Sequence, residues 1–210
     1  MMRWLLDLLY PPKCVLCHKI LPNSRQSLCD SCGRFVLAQK THTRQGHHFA
    51  RCAAPLPYEE PVRGSIHRFK FVGRKFYAKT YGPWLAAVIR QEFDSFDVLT
   101  WVPISRKRLK RRGYDQSKLL AEQAGLFLGA EPVQCLRKLR NNPPQSRSHS
   151  REQRSKNVAG AYACTADVAG KRILLIDDVI TTGATLEECS RVLRRAGAKE
   201  VFCAVLAARN

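Results

Sequence analysis

The 210-residue sequence predicts an α/β fold: a parallel sheet flanked by helices, with a small cysteine-rich module at the N-terminus. Three observations predict it. Short apolar runs bounded by turn residues alternate with stretches of helical spacing. One such run, Ile173–Ile176, leads into two acids, a threonine-rich loop and a helix. Near the start, four cysteines stand as two CxxC pairs.

Taken in order, Trp4, Leu5, Leu8 and Leu9 share one face of a short N-terminal helix. Asp7 interrupts that apolar stretch and Pro11 ends it, far short of a membrane span, and no small-residue cleavage site follows. The expectation is a cytoplasmic chain without stable membrane insertion. Cys14-x2-Cys17 and Cys29-x2-Cys32 then place four thiolates around one tetrahedral Zn2+ at about 2.3 Å. Disulfides fit less well, because five further cysteines remain and nothing marks the chain for secretion. Four thiolates close the coordination sphere, so the zinc is read as structural. Residues 33–50, polar and basic with His42, His47 and His48, read as a connector. The expected units are therefore residues 1–50 and residues 51–210.

Pro61–Gly73 and Ala78–Phe93 carry helical patterns, the second anchored by Trp84, Leu85, Val88 and Ile89. Asp97–Ile104 is an apolar strand ending at Pro103. A basic turn, Arg106–Arg112, precedes Gly113 and a helix with Leu119, Leu120, Ala124, Phe127 and Leu128 on its apolar side. A short strand follows near Val133–Leu136. Asn141–Ser150, with two prolines, three serines and no periodicity, reads as mobile. After the strand Ile173–Ile176 comes a helix with Leu186, Cys189, Val192, Leu193 and Ala196 at helical spacing, stopped by Gly197. Val201–Ala207 gives the last strand. No repeats are visible.

The loop between that strand and helix can be read chemically. Backbone N–H groups at a helix start carry unsatisfied donors and attract phosphate. Thr181, Thr182, Gly183, Ala184 and Thr185 are small enough to let a phosphate approach, and three hydroxyls add donors. Asp177 and Asp178 would repel a phosphate. They suit sugar hydroxyls, or a Mg2+ ion that itself carries phosphates. A phosphate seat beside a polyol or Mg2+ seat describes a ribose phosphate. Neither GxxxxGK[ST] nor a post-strand GxGxxG is present. The plain alternative is a strand-to-helix turn capped by Asp and Thr.

Lys and Arg number 36 against 17 Asp and Glu, a net charge of +19 that points to polyanionic partners. Segments 104–118 and 137–156 each hold seven basic residues and one acid, together 12 of the 19 charges. Such runs also read plainly as solvated faces, and Arg106, Lys107, Lys110 and Arg111 fit that reading.

Residues 173–185 resemble the phosphoribosyl-pyrophosphate (PRPP) signature of type I phosphoribosyltransferases. The resemblance implies that Asp177 and Asp178 hold the ribose hydroxyls, in the catalytic position, and that Thr181, Thr182, Gly183, Ala184 and Thr185 hold the 5′-phosphate. WVPISRKRLKRRGYDQS and PPQSRSHSREQRSKNVAGAY are similar to two further segments of the ComF family, phosphoribosyltransferase-like proteins associated with DNA uptake in competent bacteria. That family also begins with a cysteine zinc module. The resemblance covers nearly the whole chain and implies a type I phosphoribosyltransferase-like sheet. It adds Lys70, Arg108, Arg112, Gly113, Arg154 and Asn157 to the PRPP-binding set, and Mg2+ beside the ribose. Since water would attack the oxocarbenium-like centre left when pyrophosphate departs, the mobile loop near 141–156 reads as a lid that excludes solvent. One departure matters. Many members carry a second set of CxxC knuckles before residues 52–57, whereas this chain keeps Cys52 alone. A second metal would have to draw on His47, His48 and Cys52, and histidines in polar connectors are ordinarily just solvated.

Three functions stay open. The chain is a PRPP-binding protein of DNA uptake or natural transformation that also holds single-stranded DNA, with competence or DNA-processing proteins as partners. Alternatively it is an active phosphoribosyltransferase of nucleotide or base metabolism whose acceptor the sequence does not name. In the third, it is a zinc-containing nucleic-acid binder with a relic PRPP loop; the intact acids and TTGAT loop weigh against that.

Overall fold

Strand order places the carboxyl ends of three parallel strands side by side, and the site forms there. The structure is a computed structural model and describes residues 11–140 and 158–209. The helix expected around Trp4–Leu9, the lid near 141–156, and Arg154 and Asn157 lie outside the described residues.

The elements are α1 (Asp30–Leu37), β1 (His42–Arg44), β2 (Arg51–Ala54), β3 (Leu56–Pro57), α2 (Val62–Phe71), a 3-10 turn (Lys75–Tyr77) and α3 (Ala78–Glu92). They continue as β4 (Val98–Trp101), α4 (Arg106–Arg112), α5 (Gln116–Leu128), β5 (Leu136–Lys138), β6 (Tyr162–Cys164), β7 (Arg172–Ile180), α6 (Ala184–Arg195) and β8 (Glu200–Ala208). The main sheet runs β1-β2-β8-β7-β4, with β3 also on β8. β2, β8, β7 and β4 are parallel; β1 lies antiparallel on the β2 edge. β5 and β6 form a separate antiparallel pair.

Side chains alternate across a strand, so β7 feeds two cores at once. Leu174 and Ile176 pack with Leu99, Trp101, Ala204 and Leu206 beneath α2, α3 and α5. Ile173 and Leu175 pack on the other face with Cys203, Val205 and the buried stripe Leu186, Cys189 and Leu193 of α6. All four β7 residues are fully buried, which is why the run reads as continuously apolar. Gly82 lets α3 approach α5: a Cβ there would sit 2.6 Å from Gln123 Cβ.

Several boundaries differ from expectation. β7 continues through both acids to Ile180, because Asp177, Val179 and Ile180 keep pairing with β8. The basic run 106–112 is a helix, capped at Ser105, whose hydroxyl accepts from Arg108 N. Phe127 does not join the apolar side of α5; it is exposed, and Ala121 and Gly125 are buried instead. Likewise Ala196 is exposed at the end of α6. The segment 33–50, expected as a connector, contains most of α1 and the edge strand β1.

Candidate ribose-phosphate site and zinc module

A cleft of about 1090 Å³ opens over the carboxyl ends of β7 and β4. Open parallel sheets bind ligands at such ends. Of the residues expected there, Asp177, Asp178, Thr181, Thr185, Lys70, Arg108 and Arg112 line it. Thr182, Gly183, Ala184 and Gly113 do not contribute to the wall.

The acids differ in their company. Asp178 Oδ1 is 2.8 Å from Lys70 Nζ, which arrives from the last turn of α2. Asp177 Oδ1 accepts from Ser117 Oγ at 2.8 Å and from the Asp178 backbone N–H at 2.8 Å. Burial, followed by the neighbouring Asp178 charge, pushes the Asp177 carboxyl up to about 7.

The opposite wall is cationic. Arg108 and Arg112 are four apart on α4, so both turn inward while Arg106, Lys107 and Lys110 stay exposed. Arg111 is exposed, in keeping with the solvated-face reading, and also borders the cleft. Arg112 lies over the Phe71 ring, 4.5 Å from its centroid, and donates to Gln116 Oε1 at 2.7 Å. Burial draws its guanidinium pKa down. Asp115 caps α5 and also accepts from Ile104 N at 2.9 Å, tying the chain after β4 to the start of α5. A further cation comes from β5: Lys138 Nζ donates to Tyr162 OH at 2.8 Å, and burial draws its pKa down.

At the N-terminal end, the ligand atoms of Cys14, Cys17, Cys29 and Cys32 all lie within 4.8 Å of one another, with Cys17 and Cys29 sulfurs at 3.7 Å. Four thiolates at about 2.3 Å from one ion would stand about 3.8 Å apart, so the set fits Zn2+. Cys29 is lowered to about 7, chiefly by a hydrogen bond from the Cys32 backbone, while burial raises Cys32. A cation reconciles these conflicting thiols. Among the described residues this is the one such group: His47, His48 and Cys52 do not assemble as ligands. The knuckle docks on α2, where Ser65 Oγ donates to Val15 O and Arg68 donates to Val15 O and Leu16 O.

Residues 109–210 match the phosphoribosyl transferase domain family, and residues 5–65 match the double zinc ribbon domain. Competence protein F of Haemophilus influenzae is 27% identical over 217 residues, 90% of this chain and 93% of that protein. DNA utilization protein YhgH of Salmonella typhi is 28% identical, covering 92% and 96%. Competence protein ComFC of Streptococcus pneumoniae is 29% identical over 148 residues, 70% and 64%. This chain is a homologue of these competence and DNA utilization proteins. It joins a phosphoribosyl transferase domain to a zinc ribbon, and the ribbon match with the four-cysteine cluster supports structural zinc.

Within this homologue, sequence reading missed Ser117, Gln116, Lys138 and Tyr162. The first two stand in the quoted RGYDQS segment, so a signal existed. Lys138 and Tyr162 had none, because their contact joins strands 24 positions apart. Among the described residues, no helix is long and apolar enough to cross a membrane.

Proposed function

We propose that the cleft binds PRPP, or a related ribose phosphate, with Mg2+, and that the chain serves DNA uptake in the cytoplasm with single-stranded DNA on its basic surface. The observation that carries the ligand reading is the convergence of Asp177, Asp178, Lys70, Arg108 and Arg112 on one cleft beside the threonine loop. The loop's free N–H groups and Thr181 and Thr185 take the 5′-phosphate. Arg108 and Arg112 take the pyrophosphate, where paired guanidinium donors match phosphate oxygens. Asp177 and Asp178 orient the ribose through its hydroxyls. Their carboxylate oxygens also suit Mg2+, which when bound neutralises phosphate charge. Lys70 leaves Asp178 as the ligand enters.

The DNA reading is favoured by the exposed side of α4, where Arg106, Lys107 and Lys110 continue toward Arg137 and Arg140 beside a cavity of about 280 Å³. Competence proteins F and ComFC carry their role in their names, and the DNA-uptake assignment follows that likeness. A crystal soaked with PRPP and Mg2+ tests the ligand reading. Density for the 5′-phosphate is expected against Thr181–Thr185, and a clear cleft at saturating ligand would sink the proposal.

A further inference from the structure

The segment after β1 is fastened to the phosphate loop and not to solvent. Arg44, at the end of β1, donates through Nη1 to Thr181 O at 3.2 Å and through Nη2 to Thr182 O at 3.4 Å. One guanidinium thus forks two successive carbonyls, and it closes on Gly183, where an added Cβ would lie 3.8 Å from Arg44 Cζ and Nη2. In a planar trans peptide the N–H points opposite to the C=O. With their carbonyls drawn to Arg44, the peptides 181–182 and 182–183 turn the N–H groups of Thr182 and Gly183 the other way. Neither N–H finds an acceptor among the described residues. Gly183, at φ +82°, supplies the left-handed turn that this arrangement needs.

A second fastening secures the helix behind the loop. Glu187, in the first turn of α6, accepts from His47 N at 2.8 Å and His48 N at 3.0 Å, while its own N–H donates to Gly183 O at 2.9 Å. Gly46 makes room, since a Cβ there would meet Glu187 Oε1 at 2.5 Å. The Glu187 carboxylate, two residues beyond the loop, would repel a phosphate and is engaged by backbone donors of the strap formed by residues 45–48.

We infer that Arg44 is a positioning residue for the phosphate seat, aiming two loop N–H groups at the anion by holding their carbonyls from behind. This rests on the ribose-phosphate reading of the cleft. Because Arg44 acts on the loop and not on the cationic wall, its loss selectively weakens ligands that carry a 5′-phosphate.

Calorimetry with ribose 5-phosphate and with inorganic pyrophosphate tests this on the full chain, as wild type, Arg44→Met and Arg44→Lys. Wild type is expected to bind both. Arg44→Met is expected to lose at least about tenfold in ribose 5-phosphate affinity, about 1.4 kcal/mol, while keeping its pyrophosphate affinity. Arg44→Lys keeps the charge but cannot fork two carbonyls, so it stays close to the Met variant. If wild type fails to bind ribose 5-phosphate, the ribose-phosphate reading itself falls. If wild type binds and Arg44→Met matches it, or loses both compounds equally, the positioning role is overturned. Full rescue by Arg44→Lys would overturn the fork.

Discussion

Lys70 Nζ lies 2.8 Å from Asp178 Oδ1, so the helix that carries the zinc knuckle also reaches into the cleft. Ser65, Arg68 and Lys70 share α2, the first two gripping the knuckle's carbonyls and the third gripping the acid of β7. Removing the cation leaves a largely buried carboxylate unpaired. Lys70→Met is expected to destabilise by about 1–3 kcal/mol, with much of that recovered in Lys70→Met/Asp178→Asn. Urea unfolding midpoints check it; a Lys70→Met midpoint equal to wild type would show that the pair contributes nothing.

The same helix couples the metal to the cleft. Purified protein should carry about one zinc ion per chain by elemental analysis, and chelation should lower thermal stability. Because α2 loosens with the knuckle, ribose 5-phosphate affinity should fall as well. A chain that keeps its melting temperature after complete zinc removal would refute the structural role.

Asp177 gives the pH dependence. Its carboxyl is raised to about 7 from an ordinary 3.8. Between those values the folded chain holds a proton that the unfolded chain has released, so this residue's contribution to stability falls as pH rises and levels off above about 7. Asparagine keeps an acceptor for Ser117 but does not titrate. The stability of Asp177→Asn relative to wild type should therefore increase between about pH 5 and about pH 8. Chemical unfolding at both pH values measures it, and a constant difference would rule the shift out.

Two glycines should respond oppositely to alanine. Gly183 has φ +82°, where a Cβ costs about 1–2 kcal/mol, so Gly183→Ala should lower stability and disturb phosphate binding together. Gly33, inside α1 with nothing within 4 Å of an added Cβ, should gain about 0.5–1 kcal/mol. Thermal melts of both variants decide, and a stabilised Gly183→Ala would contradict the strained-loop assignment.

For DNA, reversing charge at Arg106, Lys107 and Lys110 should weaken single-strand binding and flatten its dependence on salt, since fewer counterions are released. Ribose 5-phosphate affinity should not change. Fluorescence anisotropy across a salt series separates the two, and an unaltered slope would remove DNA from this face.

What the sequence made legible was local. The apolar run, the acids and the threonine loop are contiguous, so their chemistry could be read before any fold was known. The CxxC spacing likewise announced four thiols, because a metal knuckle is a short-range object. Arg44 was illegible for the opposite reason: its partners lie 137 and 138 positions away, and a polar segment has no periodicity to reveal a strap. β7 was read too short because charged residues usually end a buried strand, whereas here Asp177 keeps pairing with Val205. Arg112 announced itself by motif, but its stacking on Phe71 required α2 and α4 to meet.

Calorimetric titration of PRPP with Mg2+ into wild type and Asp178→Asn is the most direct measurement. Saturable binding by wild type, weakened at least about tenfold in the variant, is the predicted result. Identical isotherms, or no heat from wild type at any attainable concentration, would contradict the account.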